Sequence, residues 1–106
     1  LIENNKKTIS IDDVFRVVLK FYNLTKEDLI KKGRKKEVSH PRQVMMFFLR
    51  DELQMPFSAI GEIFGGRDHT TTLHAFEKIN KQKETSPRLK EELAVIKERL
   101  YYPSAV

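Results

Sequence analysis

The chain has 106 residues, of which 40% are hydrophobic and 33% charged, and its 20 lysines and arginines against 15 acids give a net charge of +5. This is the size of one domain, and apolar residues recur too regularly for a disordered tail. The lack of cysteine excludes a disulfide scaffold, a zinc ribbon, a thiol nucleophile and a cysteine-bound cluster, and no apolar run approaches the roughly 18 residues of a membrane helix.

Taken in chain order, Leu1–Ser10 has no apolar stretch of the signal-peptide kind, and a chain opening on Leu1 reads as a piece of a longer protein. Ile11, Val14, Val17, Val18, Phe21 and Tyr22 recur at helical steps and share one face. Ser10 with Asp13, and Thr25 with Asp28, form capping-box patterns; the second opens a short turn through Leu29–Ile30. Lys31–Lys36 (KKGRKK) then interrupts the pattern, and Gly33 marks it as a loop. Pro41 stands where a helix can begin, because its missing N–H would have no partner there. Gln43–Leu53 follows with Val44, Phe48 and Leu49 as core, and Met45-Met46 with Phe47 as core and rim. Pro56 stops it. Ser58 is expected to cap a short helix, Ala59–Phe64, closed by Gly65-Gly66. Asp68 is expected to cap the next, His69–Lys81. Ser86-Pro87 opens a last helix with Leu89, Leu93, Ile96 and Leu100 on one face, and Pro103 ends it. No strand pattern occurs, so the expected fold is a small all-α helical bundle.

The segment Ser58–Lys81, a short helix, a glycine turn and a longer helix, is a helix-turn-helix candidate. The wheel places Leu73, Phe76 and Ile79 on one side of the second helix, with His69 toward that side. Thr70, Thr71, His74 and Lys78 fall opposite. Their hydroxyls, imidazole and single cation suit base edges and phosphates. The charge is uneven: residues 26–42 carry +4, whereas residues 43–82 carry −1. A basic run by itself is equally a solvated loop or an address patch; beside a helix-turn-helix it points to nucleic acid.

Gly65-Gly66-Arg67-Asp68-His69-Thr70-Thr71, with Leu73-His74-Ala75 after it and Pro41-Arg42-Gln43 and Ala59-Ile60-Gly61 with Phe64 before it, resembles the C-terminal DNA-binding domain of the bacterial replication initiator family, DnaA. The resemblance covers roughly Ile9–Tyr102. It implies a Trp-repressor-like helix-turn-helix over 10–102, with 1–9 a linker from an upstream ATPase module and 103–106 a tail. It implies sequence-specific binding of double-stranded origin boxes, with helix 69–81 in the major groove and the basic loop 31–36 in the minor groove and on phosphates. The base-contacting residues would be Arg34, Gln43, Asp68, His69, Thr70 and Thr71. The DNA backbone would meet Lys32, Lys35, Lys36, Arg42, Arg67, His74 and Lys78. A narrow A·T-rich minor groove does attract inserted arginine, and a helix N-terminus favours phosphate. The chain departs from the family pattern at Gly33, at Ser39-His40, and at Thr72, where valine is common.

ATP and magnesium are implied for the upstream module only. This chain has no G-x-x-x-x-G-K-[ST] phosphate loop, so no cofactor and no enzymatic activity are expected of it. The resemblance further implies a bacterial cytoplasmic protein on the nucleoid, monomeric as an isolated domain, whose parent assembles on the origin. His40, His69 and His74 lack metal-ligand spacing, and consecutive Asp68-His69-Thr70 cannot converge as a triad. The alternative reading is a protein-interaction module whose basic loop meets an acidic partner. RNA is a further rival, disfavoured by the lack of an aromatic stacking platform.

Overall fold

The computed structural model of the chain describes residues 8–31 and 36–103. Among them are six helices and no strand: α1 (Ile11–Tyr22), α2 (Lys26–Ile30), α3 (Lys36–Asp51), α4 (Phe57–Ile63), α5 (His69–Thr85) and α6 (Pro87–Tyr101). No helix among the described residues is long and apolar enough to cross a membrane.

α3 is the central helix. Its entire run Val44–Leu49 is buried, because α1, α2, α4 and α5 all pack around it. Met45, Met46 and Phe47 are therefore core and none is rim. α1 contributes Val14, Val17 and Val18 as its periodicity predicts, together with Phe15, while Ile11 stays exposed. Leu89, Leu93, Ile96 and Leu100 form the buried stripe of α6. Both expected capping boxes are present: Ser10 and Asp13 bond reciprocally, as do Thr25 and Asp28.

Several boundaries differ from the expected ones. α3 begins five residues before Pro41 rather than at it, and contains that proline. One internal hydrogen bond is lost, but tertiary contacts hold the added turn. His40 meets Glu92 of α6 at 3.1 Å and lies edge-on to Tyr22 of α1, and the Tyr22 hydroxyl donates to the same carboxylate. α3 ends at Asp51, short of Pro56, because Gln54 takes a left-handed φ of 57°. The Gln54 amide then returns to the Arg50 carbonyl and the Met55 amide to that of Leu49, an αL-type closure made without glycine. α4 starts at Phe57, so Pro56 rather than Ser58 stands at its N-cap, with no side-chain bond. α5 runs to Thr85 rather than Lys81, since nothing in Gln82-Lys83-Glu84 breaks a helix.

Candidate nucleic-acid interface

The turn between α4 and α5 is built around one glycine. The Gly61 carbonyl accepts the amides of Phe64, Gly66 and Arg67 at 3.1, 3.1 and 2.9 Å. A Cβ on Gly61 would stand 2.0 Å from the Arg67 carbonyl oxygen, so only glycine admits this approach. Gly65 and Gly66 take φ of 79° and 78°, and the chain reverses into α5.

A buried hydroxyl then sets the rotation of α5. Thr72 is wholly buried, and its Oγ1 lies 2.8 Å from the Phe57 carbonyl and 2.9 Å from that of His69. The buried seam is Thr72, Ala75 and Ile79, with Leu73 and Phe76 half-buried beside it. This corrects the expected seam by a fraction of a turn and brings His69 out: its side chain is 66% exposed. Asp68, Thr71, His74 and Lys78 are also exposed, and Thr70 is half-buried.

Asp68 occupies the N-cap position of α5, but its carboxylate makes no capping bond. It faces His69 Nδ1 at 3.2 Å instead. The expectation of a side-chain cap is thus overturned.

Gln43, half-buried on α3, shares a cleft of about 770 Å³ with Lys78 of α5; His40, Arg88 and Glu92 also line it. Two predicted contact residues from different helices thus meet on one surface.

Arg42 departs most from expectation. It is 6% exposed, and its Nε and Nη2 donate to the carbonyls of Leu29 and Lys31, both at 2.8 Å. It faces inward rather than toward a DNA backbone. Its position three and four residues before the buried Met45 and Met46 already places it on the core face. Arg67, half-buried, donates through Nη1 to the carbonyls of Ile30 and Phe64 at 3.2 and 2.6 Å. Burial lowers the pKa of both guanidiniums from the ordinary arginine value, and Arg67 lowers that of Arg42 further. Lys32, Arg34 and Lys35 lie outside the described residues; Lys36 opens α3, with its side chain outside the description. Sequence reading missed the inward roles of Thr72 and Arg42; the spacing 72, 75, 79 carries the signal for the first. No group of three or more metal-ligating side chains occurs among the described residues.

Comparison with known proteins identifies the family and a relative. The family described as the bacterial dnaA protein helix-turn-helix matches residues 11–79. The chromosomal replication initiator protein DnaA of Herpetosiphon aurantiacus is 36% identical over 102 residues, covering 96% of this chain. The chain spans 22% of the length of that relative.

Proposed function

Because the chain belongs to the bacterial DnaA helix-turn-helix family, we propose that it is the DNA-recognition module of a replication initiator. It reads double-stranded origin boxes in sequence-specific fashion. The observation that carries this reading is the first turn of α5. Asp68, His69 and Thr71 stand exposed on it, no side chain caps it, and a glycine-centred turn holds it at a fixed angle to α4. Such a helix end fits the major groove, where threonine offers a methyl and a hydroxyl to base edges and a carboxylate accepts from cytosine. Gln43 reaches the same groove from α3. His74 and Lys78 follow along α5 toward the phosphates, joined by Lys32, Lys35 and Lys36, and Arg34 enters the adjacent minor groove. ATP-driven assembly and origin melting belong to the parent protein beyond this chain, which itself works as a monomeric, non-enzymatic reader in the bacterial cytoplasm.

A titration of box against scrambled duplex at two salt concentrations tests this. If about five phosphates are engaged, log K falls with log salt at a slope of roughly −4 to −5, and the box binds far more tightly than the scramble. Equal affinity for both duplexes defeats sequence-specific reading, and a slope near zero defeats DNA binding altogether in favour of an acidic protein partner.

A further inference from the structure

α2 has only five residues and no basic residue in its last turn. Helix C-termini leave carbonyls without intrahelical partners, and their negative dipole end favours cations. α2 also ends without the left-handed closure made by Asn23 after α1 and Gln54 after α3, since Lys31 is extended at φ −57°, ψ 141°. Its N–H returns to the Glu27 carbonyl, and among the described residues no backbone amide meets the carbonyls of Leu29, Ile30 and Lys31. Guanidinium groups from elsewhere meet all three. Arg42 of α3 takes Leu29 and Lys31, and Arg67 of the α4–α5 turn takes Ile30. The same Arg67 Nη1 holds the Phe64 carbonyl at the end of α4, and Arg67 immediately precedes Asp68. Arg42 reaches its two carbonyls through separate nitrogens of a planar fork, a geometry an ammonium does not offer, whereas Arg67 reaches both of its carbonyls through one nitrogen.

We propose that Arg42 and Arg67 are positioning residues of the DNA interface, a two-arginine clasp on the end of α2. The clasp fixes where the chain departs at Lys31 into the basic segment relative to the first turn of α5. It rests on the functional reading above and adds to it: the first turn of α5 and the point where the chain leaves α2 at Lys31 are tied together by arginines that need not touch DNA. The Arg67 backbone is itself fixed by its amide bond to Gly61, so α2, α3, α4 and the start of α5 meet at this point.

The test uses Arg67→Gln and Arg42→Gln, with Arg67→Lys and Arg42→Lys as variants that keep the charge and lose the fork. Amide hydrogen exchange is measured without DNA, and box affinity is measured in the parent and in an Arg34→Ala background. The expected result is faster exchange at Leu29–Lys31 and in the Phe64–Asp68 turn, with α1 and α6 unchanged. Loss of charge-assisted bonds to the carbonyls lowers box affinity about tenfold in the parent. That loss shrinks to less than about twofold in the Arg34→Ala background, because positioning has nothing left to position. An equal loss in both backgrounds overturns the proposal and makes the arginines direct contacts. Unchanged exchange at Leu29–Lys31 overturns it as well. If the unmodified chain shows no preference for the box, the functional reading falls, and exchange alone then decides the clasp. Should Arg42→Gln fail to fold, Arg67→Gln and both lysine variants still decide it.

Discussion

Five of the helices show their starts among the described residues, and these are of two kinds. α1, α2 and α6 start at Ser10, Thr25 and Ser86, each of which accepts the amide three residues on. α4 and α5, the helix-turn-helix pair, start at Pro56 and Asp68 with no side-chain cap. The capped helices form the flank and frame of the bundle, and their ends are satisfied internally. α5 is instead held from behind, by the Thr72 hydroxyl and the Gly61-centred turn. Its position thus comes from buried groups, and its first turn stays exposed. A second contrast runs the same way. Arg42 and Arg67, buried and half-buried behind this turn, face backbone carbonyls, while the exposed residues at the start of α5 are Asp68, His69 and Thr71.

The largest expected effect comes from breaking the support behind α5. Gly61→Ala drives a Cβ to 2.0 Å from the Arg67 carbonyl, and that neighbour is backbone. Overpacking of this kind costs about 3 kcal/mol, which a urea unfolding curve reads directly. A change below about 0.5 kcal/mol, the level of a surface substitution, shows that the turn can shift freely and that the rear support is not rigid.

Next come the outward groups. Thr71→Ala and His69→Ala each reduce discrimination at one or two base pairs by about 1–3 kcal/mol while leaving the unfolding midpoint near its original value, since both side chains are exposed. Competition binding against single-base variants of the box measures this. Uniform weakening on every duplex instead places them on the backbone. A fall in the midpoint comparable to that of Gly61→Ala merges the two roles that the structure keeps apart.

The caps give the third and smaller contrast. Ser10→Ala removes a true N-cap and costs about 1 kcal/mol. Asp68→Ala removes no capping bond, only a pairing with His69 in which both side chains are about two-thirds exposed, and costs a few tenths of a kcal/mol at most, roughly the worth of exposed pairs. Chemical denaturation without DNA separates them. Equal costs mean that Asp68 does cap α5 in solution.

Much of this was legible in the sequence, and the parts that were not share a cause. Ser10, Thr25 and Ser86 announce their helices because capping is local, needing only residues three apart. The stripes of α1 and α6 are legible for the same reason. The end of α3 was not, because Gln54 adopts a conformation that sequence normally signals with glycine or asparagine. The start of α3 was not, because the turn before Pro41 is held by Tyr22 and Glu92, far away along the chain. At the candidate interface, the motif Gly65–Thr71 marked the turn between α4 and α5. The roles of Arg42, Arg67 and Thr72 depend on carbonyls of other elements, and residue type alone cannot tell an arginine that faces phosphate from one that faces backbone.

The smallest effect is a pH dependence confined to a capped end. Asp28 is the third residue of α2, and its carboxylate accepts the Thr25 amide at 3.0 Å while Thr25 Oγ1 accepts the Asp28 amide at 3.1 Å. The bond from the Thr25 backbone, then its side chain, holds the Asp28 carboxyl below its ordinary value of 3.8, with Lys31 adding a lesser effect. A depressed folded-state pKa means that the folded chain binds this proton less readily than the unfolded chain does. The cap therefore contributes its full stability above the ordinary value and loses it as pH falls through the lower, folded one. The capped end of α2 thus weakens in acid. Its loss also loosens the carbonyls that Arg42 and Arg67 hold one turn later. Carboxyl-carbon NMR follows the titration of Asp28, and urea unfolding between pH 5 and 2 follows its consequence. Asp28→Asn should flatten this part of the acid dependence while leaving the midpoint near neutrality slightly lower. An Asp28 carboxyl that titrates at the ordinary aspartate value shows that the box frays in solution, and the division between capped frame and open reader then no longer includes α2.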